Sequence, residues 1–242
     1  MSPTPHDWLE LEKRSKRVLD AADWRALGDV YFHEDGERLW RERRGAVVEL
    51  GAQLARRLAG ELRPGGASLW VGAGVAELPV LLAEVTLLGR TVLACNLIEA
   101  ECAALGRALA TALPDVSLEF RCGDALRLAG EARFDHLGCV SVFTDPERWP
   151  TLSDVAYGRV PPVQLDVERF VAERAAARAL AEGLFARLEP GACITTTAEE
   201  VGWFLAEADA RGCAIDASDD LLETAVVGDP VGFLRVLPAG SV

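Results

Sequence analysis

From about residue 67 onward, short apolar runs alternate with longer helix-like segments, and this alternation constrains the fold more than any other feature of the chain. Each run is too short for a stable isolated helix, and most show little polar alternation, which is typical of strands covered on both faces. Strands that alternate with crossover helices predict an α/β protein with a mostly parallel central sheet. The predicted strands are 68–71, 91–95, 117–122, 134–143 and 192–197, and the predicted helices between them are 77–88, 98–112, 125–130, 167–188 and 199–211.

The N-terminal quarter of the chain has a helical pattern instead. A first helix is predicted from residue 7 to about residue 27, with Asp7 as its cap, and the spacing of apolar residues over 39–58 predicts a second amphipathic helix. A Pro-Gly-Gly sequence at residues 64–66 ends this pattern. We therefore predict an N-terminal helical segment over residues 1–63 and an α/β domain over residues 64–242.

The C-terminal end predicts a change of strand direction. Two β-rich apolar runs, 221–227 and 231–237, are separated by Gly228-Asp229-Pro230. Two such runs joined by a short turn are typical of a hairpin, so the last two strands are predicted to be antiparallel.

The net charge of −13 is uneven along the chain. Residues 1–63 hold 12 Lys+Arg and 12 Asp+Glu, whereas residues 64–242 hold 13 and 26. A surface this acidic repels phosphate backbones, so we expect no nucleic-acid partner and no anionic membrane partner. The basic cluster Arg41, Arg43 and Arg44 is the one exception left open, although the acids interleaved with it favour a solvated helix face.

Cysteine usage and hydropathy indicate the compartment. The six cysteines are scattered singly without metal-ligand spacing, which predicts free thiols, a reducing compartment and no metal site. No apolar run is long enough to span a membrane, and the N-terminus does not resemble a secretory signal. We therefore expect a cytoplasmic protein.

The turn after the first predicted strand carries the strongest functional signal. Gly72 and Gly74 let the backbone turn sharply and a ligand approach it, while free N–H groups at the start of the next helix favour a polar ligand. An ordinary strand–helix turn would show the same two glycines. A dinucleotide site requires a third glycine at position 77, which is Glu77 here, and no P-loop GK[ST] sequence follows.

Four further motifs follow this turn in a consistent order. After Gly72-Ala73-Gly74 come Cys122-Gly123-Asp124-Ala125, Phe134-Asp135, the turn Leu188-Glu189-Pro190-Gly191-Ala192 and the terminal hairpin. On these motifs, over about residues 60–237, the chain resembles the class I S-adenosylmethionine-dependent methyltransferases. The resemblance implies a Rossmann-like methyltransferase fold and S-adenosylmethionine as the cofactor.

The resemblance also implies roles for individual residues. Asn96 stands where the family has an acid that accepts hydrogen bonds from the ribose hydroxyls. Asp124 corresponds to the partner of the adenine amino group, with the Ala125 N–H near the ring, although an Asp there could equally cap the helix at 125–130. The implied cofactor-binding residues are Val71, Gly72, Ala73, Gly74, Asn96, Leu97, Gly123, Asp124, Ala125 and Ser141.

Three positions depart from the family pattern. Trp70 replaces the acid two residues before the first glycine, which often helps to hold the cofactor's amino group. Ala76 replaces the third glycine of the turn. Asn96 lacks the charge of the usual acid, but it can still accept one hydrogen bond and donate another.

The substrate is expected above the end of the fourth strand, where Ser141, Thr144 and Asp145 lie. Asp145 is the candidate catalytic base, and an Asp-Pro turn is its structural alternative. The segment 145–167, with Trp149 and Tyr157, and the N-terminal residues Tyr31, Phe32 and His33 suggest either a lid or a packing surface. His33 and His136 are expected to be structural.

The sequence thus predicts an S-adenosylmethionine-dependent methyltransferase acting on a small-molecule acceptor, with its oligomeric state open. One alternative is a methyltransferase-like binding or scaffold protein without catalysis, which the substitutions Trp70 and Asn96 favour. Another is an enzyme that transfers an aminopropyl-type group from a related amine donor.

Overall fold

The computed structural model describes residues 3–31, 35–223, 226 and 228–237. The chain forms two compact units: the first extends to Gly130 and also includes Gly228, and the second extends from Glu131 to Glu223 and resumes at Asp229. The division predicted between residues 63 and 64 concerns a different boundary and stays a prediction.

The first unit begins with three helices, α1 (Pro5–Ala21), α2 (Trp24–Tyr31) and α3 (Gly36–Ala59). Thr4 caps α1, because its hydroxyl accepts the Asp7 N–H at 3.3 Å while the Asp7 carboxylate accepts the Thr4 N–H at 2.7 Å. Asp7 is therefore the reciprocal partner in a capping box and not the cap itself. The single helix predicted over 7–27 is two helices, since Ala22 has an extended backbone with ψ 142°.

The rest of the first unit alternates strands and helices as predicted. Its strands are β1 (Ala67–Val71), β2 (Thr91–Asn96) and β3 (Phe120–Cys122), all parallel, and its helices are α4 (Leu78–Thr86), α5 (Glu99–Ala112) and α6 (Ala125–Ala129). Helix α1 packs on α5, and α3 packs on α4. The α3–α4 approach is close at Gly51, where an added Cβ would lie 2.6 Å from the Ala76 carbonyl oxygen.

The second unit contains β4 (Phe134–Cys139), α7 (Pro150–Ala156), α8 (Val167–Phe185), β5 (Leu188–Thr197), α9 (Val201–Ala210), β6 (Ala214–Ala217) and β7 (Val231–Leu237). Strand β4 is parallel to β5, whereas β7 is antiparallel to both β5 and β6. The strand predicted over 134–143 ends at Cys139, because Ser141 adopts a left-handed backbone with φ +56°.

The strand order is β3-β2-β1-β4-β5-β7-β6, a mixed, mostly parallel sheet of seven strands with an antiparallel C-terminal pair. This confirms the predicted α/β Rossmann-like fold. The position of the sixth strand was wrong, since β6 comes earlier than 221–227. Within that run, residues 224, 225 and 227 lie outside the described residues, and Leu222 makes an isolated antiparallel bridge to Val231.

Strand β6 escaped prediction because it is a short edge strand. Its four residues, Ala-Ile-Asp-Ala, are half-buried or exposed and include only one large apolar side chain. Edge strands are often short and charged, which protects them against pairing with other chains, and the same property removes the apolar signal.

No helix in the described part of the chain is both long enough and apolar enough to cross a bilayer. Within the same ranges, no group of three or more His, Cys, Asp or Glu side chains is arranged to hold a metal ion.

Candidate cofactor and acceptor sites

The turn after β1 has the geometry that its glycines predict. Gly72 has φ +72°, a conformation that favours glycine, and the Ala73 N–H donates to the Cys95 carbonyl at 3.0 Å. The Gly74 N–H donates to the Glu77 carboxylate at 2.8 Å. Burial raises the pKa of Glu77 above its ordinary value, and the hydrogen bond from Gly74 opposes that shift. The turn is thus held partly by a buried acid at the start of α4.

Trp70 is turned into the interior beneath this turn. Its indole N–H donates to Glu84 of α4 at 2.7 Å, and Glu84 also pairs with Arg90, Nε to Oε2, at 3.1 Å. Ser68 donates to the same carboxylate. The four side chains are buried, so the ion pair is shielded from water and satisfied by neighbouring donors. Position 70, where the family usually has an acid, is therefore occupied by a tryptophan that takes part in a buried hydrogen-bond network.

Asn96 ends β2 with its amide directed inward. Its Nδ2 donates to the Ala73 carbonyl at 3.1 Å and to the Glu101 carboxylate at 2.8 Å, while its Oδ1 accepts the Ile98 N–H at 3.0 Å. Glu101 is fully buried. Both Nδ2 protons are engaged, so only one lone pair of Oδ1 remains for a ligand. Leu97, the next residue, has 57% of its surface exposed.

The end of β3 is tied to the end of β2. The Gly123 N–H donates to the Asn96 carbonyl at 2.9 Å, and Gly123 has φ +145°. Asp124 is exposed and caps α6, since its Oδ1 accepts the Arg127 N–H at 2.9 Å. Its Oδ2 accepts no hydrogen bond from the residues that the structure describes. Ala125 is buried at the start of α6.

The predicted cofactor residues of the first unit therefore lie together. Hydrogen bonds join the turn after β1 to Asn96, and Asn96 to Gly123, along the carboxyl ends of three adjacent parallel strands. The cap role of Asp124 is observed, and its adenine role stays a prediction. Ser141 and Asp145 belong to the second unit.

Ser141 is the strained residue of the second unit. Its backbone has φ +56°, and its buried Oγ has no hydrogen-bond partner among the described residues. Non-glycine residues in this conformation are often found at functional sites. Asp145 forms a local turn, in which its Oδ1 accepts the Glu147 N–H at 2.9 Å and its carbonyl accepts the Trp149 N–H at 2.8 Å. The turn alternative for Asp145 is thus observed, and its catalytic role stays a prediction.

Glu200, which sequence analysis did not single out, organises the segment after β4. Its Oε1 accepts the N–H groups of Phe143 at 2.6 Å and Thr144 at 3.0 Å, and the Thr144 hydroxyl at 3.1 Å. Its Oε2 accepts the Thr196 hydroxyl at 3.1 Å. Burial raises the pKa of Glu200 to about 7, although these hydrogen bonds favour the charged form. An acid shortly after a buried strand was the only sequence signal for it.

A second polar contact in this unit joins Tyr157 to Asp229. The Tyr157 hydroxyl donates to the buried Asp229 carboxylate, and the Arg159 guanidinium lies 4.5 Å from the centre of the Tyr157 ring. Burial, followed by the Asp229 interaction, raises the pKa of Tyr157. Trp149 is buried, and its indole N–H donates to the Val142 carbonyl at 2.9 Å.

The N-terminal part of the predicted lid or packing surface consists of residues 31–33. Phe32, His33 and the side chain of Tyr31 lie outside the described residues. His136 is buried in β4 with its Nε2 3.0 Å from the Thr195 hydroxyl, which fits the structural role expected for it.

Comparison with solved structures identifies the fold. A methyltransferase from Pyrococcus furiosus matches with a TM-score of 0.52 and 15% sequence identity, over 93% of this chain and 98% of that one. The chain has a class I methyltransferase-like fold. No family model and no curated protein matches the sequence.

Two structures from Thermus thermophilus match over a smaller part of their length. TrmN matches with a TM-score of 0.47 and 22% identity, over 79% of this chain and 49% of its own. The 16S rRNA N2 G1207 methyltransferase RsmC, solved with AdoMet and guanosine, matches with a TM-score of 0.47 and 21% identity, over 78% and 42%. The chain therefore spans about half the length of these structures.

These matches correct one expectation. The acidic net charge predicted that nucleic acid is excluded as a partner, yet an rRNA methyltransferase is among the structures that match. The exclusion was wrong, because net charge is a sum over the whole surface and does not fix the potential at one site.

Proposed function

We propose that the protein binds S-adenosylmethionine at the carboxyl ends of β1, β2 and β3 and transfers its methyl group to a small-molecule acceptor. The observation that carries this proposal is the hydrogen-bonded arrangement of the Gly72 turn, Asn96 and Gly123–Asp124 within a class I methyltransferase-like fold. We also propose a cytoplasmic location, because all six cysteines are free.

Residues of the first unit fit the ligand unequally. Asp124 fits well, since its Oδ2 remains available for an amino group of the adenine ring while its Oδ1 caps α6. The exposed Leu97 side chain offers an apolar surface for the ring. Asn96 fits less well, because one lone pair of Oδ1 replaces a whole carboxylate as the ribose acceptor.

The bound cofactor would supply an electrophilic methyl group on a sulfonium. The protein's own contribution would then be to position the acceptor and to exclude water. A proton acceptor is required only if the acceptor's nucleophile carries a proton, and Asp145 is the proposed residue for that role.

A second candidate function is ligand binding without transfer. It is favoured by the absence of an acidic side chain at two positions, since Trp70 donates to Glu84 and the Asn96 amide is held by Ala73 and Glu101. A site without those carboxylates would bind the cofactor more weakly, while still retaining the backbone turn and Asp124.

Calorimetric titration of the full chain with S-adenosylmethionine and with S-adenosylhomocysteine tests binding. A ligand at 100 times its Kd stabilises a one-site protein by about 2.7 kcal/mol, so a matching rise in thermal stability is expected. The absence of heat and of a thermal shift with both ligands at millimolar concentration would overturn the binding site itself.

Asp124→Asn provides the specific variant. Asn is an equally good helix cap, so α6 should be kept, but its NH₂ group would face the adenine amino group where a carboxylate oxygen now stands. We expect affinity to fall about five- to thirty-fold, the equivalent of 1–2 kcal/mol. The matched control is Asp115→Asn, an exposed acid between α5 and β3 that should leave affinity unchanged. Equal affinities for both variants would contradict the adenine assignment.

Transfer of a labelled methyl group separates the two candidate functions. The protein is incubated with methyl-labelled S-adenosylmethionine and a cell extract divided into small-molecule and RNA fractions. Label in the small-molecule fraction supports the proposal, and label only in RNA supports methyl transfer but contradicts the small-molecule acceptor. Binding without label in either fraction favours the non-catalytic function.

A further inference from the structure

A cleft lies between the first and third helices of the first unit. Helices α1 and α3 both pack on α4, and the space between them is a partly open cleft of about 280 Å³. Its apolar walls come from all three helices: Trp8 and Leu11 of α1, Val48 and Ala52 of α3, and Pro79 of α4. Spacings of three and four residues place the wall side chains of each long helix on one face. The cleft is therefore built by two helix faces that share α4 as their floor.

Ser15 adds one polar group to these apolar walls. It follows Trp8 by seven residues on α1, so it belongs to the helix face that lines the cleft. The residue is 2% exposed, and its buried Oγ has no hydrogen-bond partner among the described residues. A buried hydroxyl is normally hydrogen-bonded, and it can donate one bond and accept two. Ser15 is therefore a polar anchor in a cleft that is otherwise apolar on this side.

The charged groups at the cleft are paired with each other. Glu12 of α1 and Arg56 of α3 also line it, and Arg56 Nη2 lies 2.8 Å from Glu12 Oε1. Both side chains are about half exposed, so this ion pair lies on the solvent side of the cleft. A ligand's carboxylate, phosphate or ammonium group would have to compete with the ion pair for its partner. The charges therefore favour a neutral ligand.

The volume and the walls restrict the ligand further. An apolar cavity of about 150 Å³ accommodates benzene, so the cleft suits a single ring with a short substituent. Aromatic rings pack well against each other in offset or edge-to-face arrangements, and the Trp8 indole offers such a surface. A flat ring with one hydroxyl group would satisfy both the walls and the Ser15 hydroxyl.

We propose that the cleft between α1 and α3 binds a small, neutral aromatic alcohol, whose hydroxyl group exchanges a hydrogen bond with Ser15 Oγ. The inference does not rest on the proposed function, because the wall residues are different from the proposed cofactor residues.

The proposed ligand would contact α4 next to the turn that follows β1. Pro79 is the second residue of α4, and Glu77, just before the helix, accepts the Gly74 N–H at 2.8 Å. A ring against Pro79 would therefore pack on the helix that begins at this turn, without occupying the turn itself.

Titration of the full chain with benzyl alcohol tests the site, with the indole N–H signals of the ¹⁵N-labelled protein as the readout. We expect the Trp8 signal, identified by its loss in Trp8→Phe, to shift saturably with a Kd in the millimolar range. The signals of Trp149 and Trp203, which belong to the second unit, should not change. No saturable shift of the Trp8 signal, or equal shifts of all three, would overturn the site.

Ser15→Ala tests the hydrogen bond, with toluene as the matched ligand without a hydroxyl group. Alanine is a good helix former, so α1 should be kept. We expect the variant to bind benzyl alcohol about three- to tenfold more weakly and toluene no more weakly than the parent does. Ser153→Ala, which removes another buried hydroxyl without a described partner, should leave both affinities unchanged. An unchanged affinity of Ser15→Ala for benzyl alcohol, or an equal loss for both ligands, would overturn the role of Ser15.

Ala52→Leu tests the position of the cleft by filling it. Leucine is also a good helix former, so α3 should be kept, and urea unfolding checks that the variant is folded. We expect it to lose binding of both benzyl alcohol and toluene. Ala46→Leu, at an exposed position of the same helix, should bind both ligands as the parent does. A folded Ala52→Leu variant that keeps the parent's affinities would overturn the assignment of this cleft.

Discussion

At the scale of single residues, Asn96 shows how a substitution within a familiar motif is accommodated. An acid at this position would place its carboxylate against the Ala73 carbonyl and the buried Glu101 carboxylate, where Asn96 now donates two hydrogen bonds. The Asn96 amide and the Glu101 carboxylate therefore form one hydrogen-bonded unit, in which the negative charge is on Glu101 in α5 and not at the end of β2. An uncharged donor at position 96 therefore suits the buried acid at position 101.

Asn96→Asp is consequently expected to destabilise the protein rather than simply to restore a ribose acceptor. Two donated hydrogen bonds are lost and two carboxylates share a buried site, which should lower the free energy of unfolding at pH 7 by about 2–4 kcal/mol. The loss should be smaller near pH 5, where one carboxyl of the pair takes up a proton and donates to the other. Urea unfolding at both pH values measures the effect.

The matched control is the double variant Asn96→Asp/Glu101→Gln, which restores a donor next to an acceptor. It should recover part of the loss at pH 7, although the Ala73 carbonyl remains without its donor. A single variant as stable as the parent at pH 7 would show that position 96 tolerates the acid and that the Glu101 contact is weak.

Glu200 gives a second prediction at this scale, through the pH dependence of stability. Its pKa is raised to about 7 by burial, so between its ordinary value of 4.5 and about 7 the folded state holds a proton that the unfolded state has lost. The contribution of this group to stability is present at low pH and is lost as the pH rises through that window. Gln cannot titrate but keeps an acceptor for the Phe143 and Thr144 N–H groups.

The free energy of unfolding of the parent, relative to Glu200→Gln, should therefore fall by about 3 kcal/mol between pH 4.5 and pH 8. Urea unfolding across this range measures the difference. Glu199→Gln, which changes the adjacent exposed acid, should leave the pH dependence of the parent unchanged. Parallel curves for the parent and Glu200→Gln would mean that Glu200 is already ionised at low pH.

At the scale of elements, the packing of α3 on α4 supports the turn that follows β1. Helix α3 approaches α4 at Gly51, and the atoms nearest to that glycine belong to Ala76 and Pro79, at the start of α4. The contact involves the Ala76 carbonyl oxygen, so the backbone just before α4 faces α3. An additional side-chain atom on α3 at position 51 would therefore clash with the backbone that leads into α4.

Gly51→Ala should therefore destabilise the protein. An added Cβ would lie 2.6 Å from the Ala76 carbonyl oxygen and 2.5 Å from Pro79 Cγ, and a backbone carbonyl cannot move aside without shifting the turn. We expect a loss of about 1–3 kcal/mol in the free energy of unfolding, despite the better helix propensity of Ala.

Gly45→Ala is the control in the same helix. No atom lies within 4 Å of its added Cβ, so this change should stabilise the protein by up to about 1 kcal/mol through helix propensity alone. Urea unfolding of both variants measures the contrast. Effects of the same sign would show that α3 can shift away from α4 at little cost.

At the scale of the whole molecule, the sequence predicted features that depend on local pattern. The Gly72 turn, the Asp124 cap and the parallel strands follow from spacing and from the demands of individual backbone positions. Glu200 and Asp229 were missed because distant segments must fold before these side chains find their partners. Strand β6 was missed for another reason, since its edge position removes the apolar pattern on which strand prediction depends.

Charge distribution gives the prediction that belongs to the whole chain. The net charge of −13 falls entirely on residues 64–242, whereas residues 1–63 are balanced and hold exposed ion pairs such as Lys16–Asp20 and Arg56–Glu12. Salt weakens both the pairing and the repulsion, but exposed pairs contribute only about 0–1 kcal/mol each. Repulsion among 26 acids set against 13 bases should dominate.

We therefore expect sodium chloride to stabilise the protein. Raising the ionic strength from about 0.01 M to 0.15 M shortens the Debye length from roughly 30 Å to 8 Å, which reduces repulsion across the acidic surface. The free energy of unfolding in urea should rise by about 1 kcal/mol, the scale of one surface ion pair. Asp20→Asn, which removes a carboxylate that accepts from both Lys16 and Arg44, should cost stability at low salt and little at high salt. A stability that falls as salt is added would mean that the ion pairs of the N-terminal helices outweigh the repulsion, because screening would then remove more attraction than repulsion.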